Sequence, residues 1–126
     1  MEKHEIYAIC GKEYKEMTKT LLKECRLHEL IGLKEKRIGI KPNLVSPTEA
    51  SYGATTHPEV VAGIIEYLQE QGFRNLVMLE GSWVGDKTAE AAELCGYYHL
   101  SKKYQVEFLD MQKDSYEAYD CEGMDL

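Results

Sequence analysis

The chain has 126 residues, a hydrophobic content of 44% and a formal net charge of −7. Chains of this length commonly form one domain, so we expect a single domain over residues 1–126. The negative charge argues against nucleic acid or an anionic membrane surface as a partner. The N-terminus is charged and resembles no signal peptide, and no apolar run approaches the roughly 18 residues of a membrane span, so we expect a cytoplasmic protein.

The four cysteines lie far apart in the sequence, at Cys10, Cys25, Cys95 and Cys121. None of them forms a Cys-x-x-Cys pair, so the sequence contains no local ligand set for zinc or an iron–sulfur cluster. We therefore predict free thiols that are buried or incidental, and we assign no metal site.

The first third of the chain predicts a strand over residues 6–10 and a helix over residues 14–30. Apolar side chains recur at helical spacing through the second of these segments, and Gly32 follows it. Another strand is predicted over residues 37–41, because Pro42 cannot donate to a strand ladder and favours extended geometry before it.

The remaining pattern alternates helix and strand. We predict a helix over 58–71, a strand over 75–80, helices over 87–94 and 97–104, and a strand over 105–110. Repeated strand–helix–strand units indicate an α/β fold with three layers, in which a mostly parallel sheet of about four strands carries helices on both faces. Residues 111–126 lack clear periodicity, so we expect a tail or the start of a further element.

Charged residues stand at the carboxyl ends of three predicted strands: Lys41, Glu80 and Asp110. This end of a parallel sheet is where α/β proteins build their sites. Glu80 directly follows four apolar residues, so it is a candidate general base, a metal ligand or simply an ion-pair partner of Lys41. Asp110 is a second candidate for handling protons or a divalent metal.

Lys41 and Asn43 are candidates for binding an anionic substrate. A lysine at the end of a strand neutralises a carboxylate or phosphate, and an asparagine supplies both a donor and an acceptor for orientation. Ser82, just after the strand that ends at Glu80, completes this polar set. The alternative is that Lys41 is only a solvated surface charge.

The stretch from Thr55 to Glu59 supports two interpretations. Thr56 as N-cap and Glu59 three positions later would form a capping box. The same helix start, with Thr55 and Thr56, would also attract an anion to its free N–H groups. His57 is a candidate proton shuttle, although no serine or cysteine nucleophile is visibly paired with it.

The segment over residues 81–88 partly resembles a phosphate-binding loop, because it follows a predicted strand and ends in Lys-Thr. The motif needs glycine directly before the lysine, and Asp86 stands there instead. A Gly-x-Gly-x-x-Gly dinucleotide fingerprint is also absent. The plainer account is that Asp86 or Thr88 caps a helix.

Taken together, several segments resemble one family. They are 41–45 (Lys-Pro-Asn-Leu-Val), 53–61 (Gly-Ala-Thr-Thr-His-Pro-Glu-Val-Val), 80–82 (Glu-Gly-Ser), 96–97 (Gly-Tyr) and the strand that ends at Asp110. In order and spacing they are similar to the domain of unknown function 362, over residues 37–110.

The resemblance implies that the chain corresponds to the N-terminal part of a longer domain. Many longer members of this family carry a ferredoxin-like module with two four-iron four-sulfur clusters, which implies redox or electron-transfer work. This chain has no Cys-x-x-Cys-x-x-Cys run. Any such cluster is therefore expected only in a further module or on a partner, and this chain itself is expected to hold no cofactor.

Three hypotheses of function remain open at this point. The favoured one is an enzyme, or a fragment of one, that binds a small anionic substrate at the strand ends. The second is a noncatalytic interaction module that docks to a redox protein partner. The third is a homo-oligomer that covers an exposed sheet edge.

Overall fold

The structure is a computed structural model that describes residues 5–118. In chain order its elements are helices α1 (Tyr14–Glu24) and α2 (Leu27–Ile31), strand β1 (Ile38–Ile40), helix α3 (Pro58–Glu70), strand β2 (Leu76–Glu80), helices α4 (Thr88–Leu94) and α5 (Tyr97–Tyr104), and strand β3 (Glu107–Asp110). A short 3-10 turn, Ala50–Tyr52, interrupts the long connection between β1 and α3.

The strands form one parallel sheet with β2 in the centre. Ile40 pairs in register with Met78, and Glu80 pairs with Asp110. Each pair of neighbouring strands is joined by a helical crossover, as parallel pairing requires. The predicted α/β fold with a parallel sheet is confirmed.

The number of strands differs from the prediction. Residues 6–10 form no strand, and the Ile6 side chain is 92% exposed. An apolar run becomes a strand only where another strand pairs with it, and among residues 5–118 no strand pairs with this segment. Residues 5–118 therefore contain three strands instead of about four.

The predicted helix over residues 14–30 is also wrong as a single element. Arg26 adopts a left-handed backbone conformation with φ of 51°, so α1 ends before it and α2 begins after it. A residue in this conformation cannot continue a right-handed helix. Arg26, at the break, forms an ion pair with Glu29 in the first turn of α2.

The hydrophobic core lies between the sheet and helices α3, α4 and α5. Its main buried side chains are Ile40, Leu44, Val61, Ile65, Leu68, Phe73, Leu76, Met78, Ala91, Ala92, Tyr97, Leu100 and Val106. Helix α1 packs against α3 at Gly63, where a β-carbon would lie only 2.6 Å from the carbonyl oxygen of Lys15. Only glycine permits this close approach of two helices.

The predictions about membrane-spanning helices and about the tail can be compared with the structure only over residues 5–118. Between residues 5 and 118, no helix combines the length and the apolar character needed to cross a membrane. Residues 111–118 belong to no helix or strand. The rest of the predicted tail lies outside the described residues.

Candidate functional site

The three charged residues at the strand ends lie along one edge of the sheet. Lys41 directly follows β1, Glu80 is the last residue of β2, and Asp110 is the last residue of β3. Because Glu80 and Asp110 are register partners on neighbouring parallel strands, their side chains leave the sheet on the same face. The edge therefore gathers one cation and two carboxylates.

Lys41 and Glu80 form a direct ion pair. The Lys41 Nζ lies 2.8 Å from Oε2 of Glu80, and the backbone N–H of Gly81 donates to Oε1 of Glu80 at 2.8 Å. Glu80 is only 3% exposed, whereas the side chain of Lys41 is 58% exposed. Within the part of the chain that the structure describes, Glu80 is the hydrogen-bond partner of this ammonium. Two of its three N–H donors thus remain for a ligand.

Asn43 and Thr56 are bound to each other across the long loop after β1. The backbone N–H of Asn43 donates to the Thr56 hydroxyl at 2.9 Å, and the Thr56 N–H donates to the Asn43 carbonyl at 2.8 Å. The Asn43 side-chain amide donates to the carbonyl of Ala54 at 3.0 Å. These contacts fix the loop, and they leave the carboxamide oxygen of Asn43 as an acceptor.

The predicted capping box is not formed. Helix α3 begins at Pro58, its N-cap residue is His57, and no side chain caps it. The Thr56 hydroxyl is occupied by the N–H of Asn43, so it does not reach the helix start. Because Pro58 occupies the first helical position, the N-cap falls at His57 and Glu59 is the second helical residue, so the spacing of a capping box from Thr56 is not met.

The side-chain contacts of His57 are with Tyr14 and Glu59, and not with the Lys41–Glu80 ion pair. Its ring stacks on Tyr14 with centroids 4.4 Å apart, and its Nδ1 lies 3.9 Å from a carboxylate oxygen of Glu59. The structure thus places His57 at the contact between α1 and α3, and not beside Lys41 and Glu80.

Ser82 joins the two loops that border the ion pair. Its hydroxyl donates to the carbonyl of Leu44 at 2.7 Å, and its backbone N–H donates to the Thr88 hydroxyl at 2.9 Å. The backbone N–H of Trp83 donates to the carbonyl of Val45 at 3.1 Å. The loop after β2 is therefore held against the loop after β1.

The same hydrogen bonds show how the loop over residues 81–88, which resembles a phosphate-binding loop in sequence, is used. Its amides at Ser82 and Trp83 already donate within the protein, so they do not wrap a phosphate. Lys87, and neither Asp86 nor Thr88, is the N-cap residue of α4. The first backbone N–H of α4, that of Thr88, instead donates to the side-chain oxygen of Gln112 at 3.0 Å.

Asp110 stabilises the turn that follows β3. Its Oδ1 accepts the backbone N–H of Gln112 at 3.0 Å. Its Oδ2 is buried and accepts no hydrogen bond, although Lys113 Nζ lies 3.5 Å away. At that distance the lysine supplies charge, but the geometry is not that of a hydrogen bond. Among the described residues this oxygen therefore has an ionic neighbour but no hydrogen-bond donor.

Thr55 is turned into the protein. Its hydroxyl donates to the carbonyl of Thr48 at 3.3 Å, and the thiol of Cys95 donates to the same carbonyl at 3.2 Å. Tyr97, which sequence reasoning did not select, donates its hydroxyl to the Thr56 carbonyl at 2.9 Å. Burial raises the pKa of Tyr97 above its ordinary value, so this hydroxyl stays protonated.

Three of the four cysteines lie within the described residues. Cys10 is exposed, Cys25 is half-buried, Cys95 is buried, and all three are free thiols. Across residues 5–118, no group of three or more His, Cys, Asp or Glu residues could hold a metal ion. Cys121 lies outside the described residues.

A small open cavity of about 210 Å³ lies beside the ion pair. It is lined by Lys41, Asn43, Leu44, Val45, Glu80, Gly81 and Trp83. Sequence reasoning missed Val45 and Trp83. A tryptophan directly after the Gly81-Ser82 pair was a usable signal, because loops that follow the carboxyl ends of parallel strands border the site in α/β proteins.

A larger cavity of about 620 Å³ lies elsewhere, between the starts of α1 and α3 and one side of α5. Lys12, Lys15 and Lys103 are among its lining residues, together with Glu13 and Glu59. It contains none of the strand-end residues, so it is a separate location that any binding experiment must distinguish.

Comparison with known proteins agrees with the resemblance seen in the sequence motifs. No curated protein and no solved structure matches this chain. The profile of the family described as "Domain of unknown function (DUF362)" matches residues 38–125, which is more than half of the chain. The chain therefore belongs to the DUF362 family.

Proposed function

We propose that the chain is an enzyme, or part of one, that binds a small anionic substrate at the carboxyl ends of its strands. The observation that carries this proposal is the arrangement of Lys41. A buried carboxylate fixes its ammonium beside an open cavity, and two of its N–H donors have no acceptor among the described residues. Donors held in place in this way can orient an incoming carboxylate or phosphate by hydrogen bonds.

The other polar residues divide into two groups in this proposal. Asn43 lines the cavity and orients the anion, whereas Thr55, Thr56 and Ser82 hold the loops that shape it. Their hydroxyls are engaged within the protein, so we assign them positioning roles.

Proton handling falls to the carboxylates. Glu80 positions Lys41, and Asp110, its register partner at the end of the neighbouring strand, is the residue that we assign to take or give the proton. His57 does not line this cavity, so we give it no part in binding the anion.

A thermal-shift screen tests this proposal. A ligand that binds only the folded chain raises its melting temperature by mass action. Organic acids, phosphorylated metabolites and divalent metals are screened against the unmodified protein, Lys41→Ala and Lys12→Ala. A hit that persists in Lys12→Ala and disappears in Lys41→Ala is expected. A screen without hits, or hits that survive Lys41→Ala, would remove the proposal.

A second candidate function is an interaction module that docks to a redox partner. It is favoured by the exposure of Val84, which is 87% exposed next to Trp83 on the same loop. Exposed apolar side chains in one place mark protein contact sites. A ferredoxin with two four-iron four-sulfur clusters should then bind the chain and lose affinity for Val84→Asp. Calorimetry without detectable heat at high concentration would reject this candidate.

A further inference from the structure

We infer that the ligand of the strand-end cavity carries its anionic group on a planar aromatic body, which packs against the indole of Trp83. This inference rests on the proposed function, because it assumes that Lys41 receives the anion. It names the class of ligand, an aromatic carboxylate or a closely similar anion, which the ion pair alone does not specify.

The first support is the position of Trp83. It lines the same cavity as Lys41 and Glu80, and its side chain is nevertheless 69% exposed. Its backbone N–H is bound to the carbonyl of Val45, so the base of the side chain is fixed to the opposite loop. A large exposed indole on an anchored backbone offers a flat apolar face against which a planar ring can pack.

The second support is the apolar surrounding of the ion pair. Val45 lines the cavity, and Met111 is an exposed apolar side chain at the end of β3. The backbone N–H of Met111 donates to the backbone carbonyl of Glu80 at 2.9 Å, and a β-carbon at Gly81, which lines the cavity, would lie 3.5 Å from the β-carbon of Met111. A ligand seated here would contact apolar groups around one polar centre, as small-molecule sites usually provide.

The third support comes from the charges. Glu80 already neutralises Lys41 at 2.8 Å, so the pair attracts a further anion only weakly. Two N–H donors of Lys41 remain to orient the anionic group. Most of the binding free energy must then come from apolar contact, and the exposed aromatic surface beside Lys41 belongs to Trp83. Inorganic phosphate and small aliphatic acids lack a body that could use it.

The experiment exploits the fact that the chain contains one tryptophan. Its fluorescence therefore reports on Trp83 alone. Benzoate, cyclohexanecarboxylate and inorganic phosphate are titrated, with affinities from calorimetry and location from fluorescence. Benzoate and cyclohexanecarboxylate carry the same charge on six-membered rings, so their comparison isolates the aromatic face. We expect benzoate to bind about two- to tenfold tighter and to change the emission of Trp83.

Variants then separate the contributions. Trp83→Leu should reduce benzoate to the affinity of cyclohexanecarboxylate and leave the latter nearly unchanged. Lys41→Met should weaken both carboxylates about tenfold, since a hydrogen bond to a charged group is lost. Lys41→Gln also removes the charge but keeps a polar side chain beside Glu80, and it serves if Lys41→Met does not fold. Lys12→Met, in the other cavity, is the matched control and should bind like the unmodified protein.

The possible failures are distinguishable. Equal affinity for benzoate and cyclohexanecarboxylate, with both dependent on Lys41, would overturn the aromatic class and retain the anion site. If none of the three probes binds in a way that depends on Lys41, the inference and the proposed function both fail. Binding that is lost in Lys12→Met and kept in Lys41→Met would place the ligand in the larger cavity, and it would also overturn both.

Discussion

Lys41 and Glu80 form an ion pair at 2.8 Å in which the carboxylate is buried and the ammonium faces solvent. The second oxygen of Glu80 accepts the N–H of Gly81, so both carboxylate oxygens have partners. The pair ties the end of β1 to the end of β2 and at the same time presents an ammonium to the cavity. Its structural and proposed functional roles can therefore be measured separately.

Removing the ammonium should destabilise the fold through Glu80. In Lys41→Met the buried carboxylate keeps only the N–H of Gly81, and we expect the free energy of unfolding to fall by about 1–2 kcal/mol, less than for a fully buried pair because Lys41 is half exposed. The double variant Lys41→Met with Glu80→Gln should regain part of this loss, since an amide needs no counter-charge. Urea denaturation measures both. Equal stability of Lys41→Met and the control Lys12→Met would contradict this account.

The contact between α1 and α3 should not tolerate a side chain at Gly63. The β-carbon of Gly63→Ala would lie 2.6 Å from the Lys15 carbonyl oxygen and 2.9 Å from the β-carbon of Thr18. Alanine is the better helix former by about 1 kcal/mol, so a surface glycine would gain stability from this change. Here we expect a net loss of about 1–3 kcal/mol from overpacking. Thermal unfolding measures it, and a rise in melting temperature would show that α1 does not pack as described.

The lowered pKa of Glu66 predicts that the folded protein loses stability in acid. Burial alone would raise its pKa, but hydrogen bonds from Tyr104, Lys15 and Lys19 outweigh burial and lower the pKa to about 2. Because the folded-state pKa is below the ordinary value of 4.5, this contribution is complete above about pH 4.5 and is lost as the pH falls towards about 2.

The variant Glu66→Gln provides the measurement. It should melt below the unmodified protein near neutral pH, and the difference should shrink as the pH falls through that window. Glu16→Gln, at a largely exposed carboxylate on α1, is the control and should show little difference at any pH. A gap between Glu66→Gln and the unmodified protein that stays constant with pH would refute this assignment.

The described cysteines should react with a thiol reagent at different rates. Cys10 is exposed and should be labelled first, whereas Cys95 is buried and donates to the Thr48 carbonyl, so it should react only when the chain opens. Mass spectrometry of partially labelled protein after digestion measures each site. Labelling of Cys95 as fast as Cys10 in the folded protein would contradict the packing of this loop.

Periodicity predicted the elements that pack on a core with little error. The prediction of α5 over residues 97–104 matches its bounds, and β2 was predicted one residue too long. The break at Arg26 was not predictable in this way, because the apolar spacing continues across it and only the backbone conformation ends the helix. The segment 6–10 failed for the opposite reason, since its strand pattern has no strand to pair with.

The candidate site was predictable in its location and less so in its contacts. Strand ends identified Lys41, Glu80 and Asp110 from the sequence, because a strand that ends at a charge is a local signal. The pairing of Thr56 with Asn43 depends on how a long loop folds back, which no local pattern encodes. The exposed position of Trp83 depends on the same loop geometry.

The most direct test of the central claim is a crystal structure of the unmodified protein soaked with benzoate. The account predicts a carboxylate within hydrogen-bond distance of Lys41 Nζ and a ring against Trp83, with the Lys41–Glu80 pair intact. Benzoate found only in the cavity lined by Lys12 and Lys103, with the strand-end cavity holding none, would contradict the claim that these strand ends form the anion site.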